Sequence, residues 1–145
     1  MFEKYDFMGK LDKYRDYAPL VLRLVAGVIY AAHGWSKLMN PAGTAGFFGG
    51  IGIPMPMFFA WVVIFAEFAG GIGLILGLFT RYFAKLQVIT MIVAIWLVHF
   101  KNGLTGQGGY EFALSLLAIS LSLELTGSGK WSLDNLICGK KGKKK

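Results

Sequence analysis

The stretch FAEFAGGIG, residues 65–73, sets a carboxylate inside a run otherwise suited only to a lipid bilayer. Trp61, Val62, Val63 and Ile64 precede it, and Leu74, Ile75 and Leu76 follow. A lone charge at such depth is costly, so Glu67 needs a partner or a proton, and an ionisable group there marks a functional site. The reading of this stretch decides the fold, because the residues around it are long and apolar enough for a transmembrane helix.

Three further segments match it. Spans are expected at about 18–38, 57–79, 82–100 and 109–126, each near the roughly 17–25 residues a crossing requires. The fourth is diluted by Ser115, Ser120, Ser122 and Glu124. The whole chain of 145 residues is 55% hydrophobic and 16% charged, which excludes disorder and argues against an ordinary soluble domain. Its net charge of +7 raises nucleic acid as a partner. The basic residues lie at the ends and in one short loop, with apolar runs between them, which is membrane topology and not a nucleic-acid groove.

Basic residues also set the direction. Lys4, Lys10, Lys13, Arg15, Arg81, Lys85, Lys130 and the tail Lys140, Lys141, Lys143, Lys144 and Lys145 collect on one side. Only Lys37 and Lys101 fall on the other. Positive-inside topology predicts a multi-pass protein of the cytoplasmic membrane with both termini in the cytoplasm. No signal peptide is expected, since acids sit among the bases of the N-terminus and no small-residue cleavage site follows.

The chain divides into three parts. Residues 1–17 carry Phe2, Tyr5, Met8, Leu11, Tyr14 and Tyr17 between charges, and predict an amphipathic helix on the inner membrane surface. Residues 18–134 form the four-span domain, and 135–145 a basic cytoplasmic tail that favours anionic lipid. The connection over 39–56 is rich in Gly and Pro yet holds Phe47, Phe48 and Ile51, so it is expected to lie against the helices as a lid. The fold class is all-α: an integral membrane, antiparallel four-helix bundle with an interfacial N-terminal helix.

With alternate spans running in opposite directions, polar groups gather at the outer side. His33 and Lys37 are four apart and share a helix face. They lie about 7 Å and about 2 Å inside the outer end of their span, and Glu67 about 15 Å inside its own, at roughly 1.5 Å per residue. Side chains lean toward their helix N-terminus, so the first two lean inward and Glu67 leans outward to meet them. His99 ends the third span and Glu111 opens the fourth, where the positive helix end favours a carboxylate. His33, Lys37, Glu67, His99 and Glu111 are the expected polar cluster, with Trp35, Phe47, Phe48 and Trp61 as apolar walls. On the inner side Arg23 and Glu124 are expected to pair. Ala69, Gly73 and Gly77 form a small-residue stripe for helix packing.

Other chemistries are poorly served. The single cysteine, Cys138, allows no dithiol chemistry within the chain. Two histidines without further haem signature are weak support for haem, and no Glu-x-x-His spacing supports a metal site. No intrinsic cofactor or metal is expected.

The segments LRLVAGVIYAAHGWSKL (22–38), FAEFAGGIGLILGLFTRYFAKL (65–86) and GGYEFALSLLAISLSL (108–123), with the closing GSGKWSLDNL, resemble the DoxX family. The resemblance runs from about residue 18 to 134. The family pattern places an Arg early in span 1, matching Arg23, and a Gly-x-x-Lys step at its end, matching Gly34 and Lys37. A Glu followed by Gly in span 2 matches Glu67, Gly70 and Gly71. A Gly-Leu-x-Thr-Arg turn matches Gly77 to Arg81, and a Glu opening span 4 matches Glu111.

The family is named for a small subunit of an archaeal membrane complex that passes electrons from thiosulfate to quinone. Other members are linked to membrane oxidoreductase assemblies that defend against oxidants. The resemblance implies architecture more strongly than activity. Three functions are expected from it in turn. The first is a redox-linked subunit that binds a quinone-like or other amphipathic, lipid-like molecule in the outer polar cluster, beside an oxidoreductase partner. The second is a non-catalytic scaffold that recruits a soluble oxidoreductase on the cytoplasmic side. The third is a small transporter or proton path, which would need a homo-oligomer.

Overall fold

The computed structural model describes residues 12–138. Residues 1–11 of the expected interfacial helix and 139–145 of the expected basic tail lie outside the described residues.

Among the described residues all regular structure is helical. Helix α1 runs Ala18–Met39, entered through a 3-10 turn at Arg15–Tyr17. Pro19 suits its first turn, where an N–H is not needed. It stops because Asn40 turns out of helical geometry ahead of Pro41, whose ring disfavours helix in the residue before it. The Asn40 side chain then accepts from the Gly43 N–H at 2.9 Å and caps α2, Pro41–Gly50. Helix α3, Pro56–Ile64, passes through a π turn at Phe65–Ala69 into α4, Gly70–Leu76. Helix α5, Thr80–Ala94, continues through a second π turn at Ile95–His99 and a 3-10 turn at Phe100–Asn102. Helix α6 is Glu111–Thr126 and the short α7 is Leu133–Cys138.

Three continuous helical stretches are long and apolar enough to cross a membrane: Arg15–Met39, Pro56–Leu76 and Thr80–Asn102. Helix α6, expected as a fourth span, has 16 residues. At roughly 1.5 Å per residue it falls a little short of a bilayer core. The second span was expected to reach residue 79 but ends at Leu76. Gly77 (φ 68°) and Phe79 (φ 50°) both take left-handed backbone, which breaks the helix there.

The close approach that fixes the site is between α1 and the first π turn with α4. The Gly34 Cα lies against the Phe68 backbone, and Gly27 against Ile75 and the Gly71 carbonyl, so the two run past each other in opposite directions. A Cβ on Gly27 would sit 2.8 Å from the Gly71 oxygen. The expected stripe of Ala69, Gly73 and Gly77 is not this contact. Gly73 lies under the Phe83 ring, Ala69 is half-buried, and Gly77 ends the helix instead of extending it.

Tyr30 of α1, Leu74 of α4, Met91 of α5, and Leu116 and Leu123 of α6 meet in one apolar core. A smaller core joins the expected lid to α3 through Ala45, Phe48 and Ala60. Outward, Val21, Val28, Ile72, Ile89, Val93 and Leu121 are exposed. So wide an apolar girdle needs lipid to cover it, and the chain is a membrane protein in contact with the bilayer.

Candidate functional site: an ion pair on an apolar cavity

Glu67 sits in the middle of the first π turn and is only 4% exposed. Lys37, at the last turn of α1, donates from Nζ to Glu67 Oε2. The pairing stems from the glycines. Gly34 lets α1 approach the Phe68 backbone, which brings Lys37, one turn further on, beside the carboxylate. The π turn is supported from behind by Gln87, fully buried on α5, whose Nε2 donates to the Ala66 carbonyl at 2.6 Å. A π turn disturbs the regular ladder of backbone bonds, and such turns are frequent at functional sites.

The pair lines a cavity of about 340 Å³. His33 and His99 also line it, with Phe47 and Phe48 from the lid, Phe112 from α6, and Tyr30. The His33 ring packs against Phe112 with centroids 6.1 Å apart. His99 ends the second π turn, and its Nδ1 lies 2.9 Å from the Gly108 carbonyl. Tyr30 is 1% exposed, and its hydroxyl is 2.9 Å from Ser120 Oγ.

Three expected members stand elsewhere. Glu111 is exposed at the start of α6 and does not line the cavity. It is the first residue of its helix, and its backbone N–H donates to Leu104. Trp35 and Trp61 are half-exposed and likewise not cavity walls. Trp35 lies two residues from His33 and from Lys37, about 200° round the helix, and packs on Phe68 at 5.6 Å. Trp61 is six residues before Glu67, hence also on another face.

Tyr30 and Gln87 are site residues that sequence reasoning missed. Tyr30 was accessible to it: Arg23, Tyr30 and Lys37 are seven apart and share a face, with Gly27 and Gly34 between them. Gln87 was not, since its role exists only beside a π turn that no sequence period announces.

At the other end the expected Arg23–Glu124 pair does not form. Glu124 instead meets Lys85 at 3.6 Å. Arg23, fully buried, donates through Nη1 to the Leu74 carbonyl at 3.2 Å and through Nη2 to the Trp131 carbonyl. The Leu74 carbonyl at the end of α4 also accepts the Gly77 N–H, and the guanidinium reaches it and the Trp131 carbonyl at once, whereas a carboxylate offers a single partner. Gly77 makes room, because a Cβ there would collide with Nη1. The Asp134 carboxylate accepts the Phe79 and Thr80 N–H groups at 2.8 and 2.9 Å, and the Asp134 N–H donates to Gly77. Residues 131–134 thus staple the turn between α4 and α5.

The profile of the DoxX family matches residues 18–100. The Bacillus subtilis protein named "Putative oxidoreductase CatD" is 39% identical over 134 residues, spanning 92% of this chain and 96% of that protein. An "Uncharacterized protein" of Haemophilus influenzae is 34% identical, over 88% of this chain and 96% of its own length. The Escherichia coli "Inner membrane protein YqjF" is 28% identical, over 88% and 97%. No solved structure matches the chain.

Proposed function

The chain belongs to the DoxX family, and from that premise we propose that it is a four-span, redox-linked membrane subunit that binds a quinone-like molecule in the Lys37–Glu67 cavity. The antiparallel bundle is supported by the pairing of α5 with α6. Lys85 near the start of α5 meets Glu124 near the end of α6, and His99 beyond the end of α5 meets Gly108 just before α6. With the basic residues inside, both termini lie in the cytoplasm and the cavity lies in the outer half of the cytoplasmic membrane. One relative is named an inner membrane protein, which agrees with that location.

One observation carries the ligand reading. A part-buried ion pair opens onto a cavity of about 340 Å³ whose other walls are mostly aromatic and aliphatic. Sites for small amphipathic molecules have this make-up, apolar walls with a few polar groups that fix orientation. Phe47, Phe48 and Phe112 would flank a ring, and Lys37, held by Glu67, would donate to one of its oxygens, with the two histidines beside it. The oxidoreductase in the name of one relative fits a redox-linked role. The sequence holds no Rossmann, haem or iron–sulfur ligand pattern, so the electron-carrying cofactor belongs to a partner oxidoreductase in this reading.

The test is direct. The protein is purified in detergent, extracted with organic solvent and examined for quinone absorbance, then titrated calorimetrically with ubiquinone-1. Bound quinone, or saturable binding that weakens in Lys37→Met, is expected. A protein that neither carries nor binds a quinone overturns the reading.

A further inference from the structure

We infer that the cavity selects the reduced, hydroxyl-bearing form of its aromatic ligand, a hydroquinone, with Nε2 of His99 accepting a hydroxyl hydrogen. The inference rests on the quinone-binding reading above and names the form of ligand preferred.

The loop before α6 sets the tautomer. Gly108, with φ 79°, turns its carbonyl toward His99 Nδ1 at 2.9 Å and toward Asn102 Nδ2 at 2.9 Å. A carbonyl can only accept, so both nitrogens donate, and His99 Nδ1 carries the hydrogen. A neutral imidazole has one N–H, which leaves Nε2 as a bare acceptor. His99 lines the cavity, and with Nδ1 engaged by Gly108, Nε2 is the nitrogen left for a ligand.

Among the other polar groups there, Glu67 points the same way. Glu67 is an acceptor only, with Oε2 engaged by Lys37 and Oε1 remaining. The Tyr30 hydroxyl is shared with Ser120 and the Leu116 carbonyl. Lys37 supplies donors and serves either form. A quinone oxygen has no hydrogen, so opposite Nε2 it sets one lone pair against another. A hydroquinone hydroxyl donates there. The two forms have the same carbon skeleton, so the walls barely distinguish them and the polar groups decide.

The experiment uses the full-length protein in detergent, without oxygen, titrated calorimetrically with ubiquinone-1 and with ubiquinol-1. Ubiquinol-1 is expected to bind about tenfold more tightly, the worth of one net hydrogen bond. His99→Phe is expected to bring the two affinities within about twofold, mainly by weakening the quinol. A preference that survives in His99→Phe overturns the assignment to His99. Equal affinities in the unmodified protein overturn the inference and leave quinone binding intact. If neither form binds, the underlying reading falls with it. Nitrogen-15 spectra of histidine-labelled protein give a readout that needs no substitution. Ubiquinol-1 is expected to move the resonance of an unprotonated imidazole nitrogen and ubiquinone-1 to leave it in place; the reverse pattern overturns the inference.

Discussion

Lys37 and Glu67 stand 30 residues apart in the chain and form one ion pair across the contact between α1 and the π turn before α4. The carboxylate side chain is 6% exposed and the lysine 27%, so the acid depends on the base more than the reverse. Removing the lysine strands a buried carboxylate, whereas removing both charges leaves two groups that need no partner. Lys37→Met is therefore expected to destabilise by about 2–3 kcal/mol, below the roughly 3–5 kcal/mol of a fully buried pair because the lysine keeps some water. The double change Lys37→Met with Glu67→Gln is expected to cost less than Lys37→Met alone. Thermal unfolding of all four members of the cycle in detergent checks this. Additive losses would show that the pair is not coupled.

Arg23 gives a second comparison at the opposite end. Its guanidinium reaches the Leu74 and Trp131 carbonyls together, and a lysine ammonium has neither the fork nor the reach. Arg23→Lys is expected to lose about 2 kcal/mol, nearly as much as Arg23→Met, because the bonds that tie α1 to Leu74 and Trp131 together are lost. Glu124→Gln is expected to change stability by less than about 0.5 kcal/mol, since its partner Lys85 is mostly exposed. Unfolding midpoints of the three variants decide the matter. An Arg23–Glu124 pair would give the opposite pattern, with Glu124→Gln the costly change.

The glycines separate close approach from free space. A Cβ on Gly34 would strike the backbone of Phe68 and Glu67, which cannot swing aside as a side chain can. Gly34→Ala is expected to cost about 2–3 kcal/mol and to weaken quinone binding, because it pushes α1 away from the π turn. Gly46, inside α2, has nothing within 4 Å of its added Cβ. Gly46→Ala is expected to stabilise by about 0.5–1 kcal/mol through helix propensity and a less free unfolded chain. Unfolding midpoints of the two variants should move in opposite directions.

These residues also show what the sequence could disclose. The apolar runs announced the helices, and the four-residue spacing of His33 and Lys37 put both on the face that lines the cavity. Glu67 was conspicuous because a carboxylate in an apolar run has few innocent explanations. What the sequence did not disclose was the departure from regular α-helix, which hid Gln87. The two π turns each insert a residue and rotate the helix beyond them, and Glu67 and His99 both sit in one. Large aromatic residues were also poor guides to the walls, since Trp35 and Trp61 are as content against lipid as against a ligand. Arg23 was paired with Glu124 because only side-chain charges are visible in a sequence. The backbone carbonyls that it serves carry no letter.

The staple at residues 131–134 yields the last prediction. Phe79 holds a left-handed conformation that costs a non-glycine residue free energy, of order 1–2 kcal/mol, and the turn persists because the Asp134 carboxylate binds the N–H groups of Phe79 and Thr80. Asp134→Ala removes both bonds and leaves the strain. The expected loss is about 1–2 kcal/mol, as for a lost helix cap. Phe79→Gly relieves the strain from the other side, because glycine takes this conformation freely. Combined with Asp134→Ala it is expected to recover part of the loss. A cysteine-reactive dye on Cys138, exposed at the end of α7, reports the same event locally. The fluorescence anisotropy of the attached dye should be lower in Asp134→Ala than in the unmodified protein if α7 is released from the turn. Unchanged anisotropy together with an unchanged unfolding midpoint would show that Asp134 holds nothing in place.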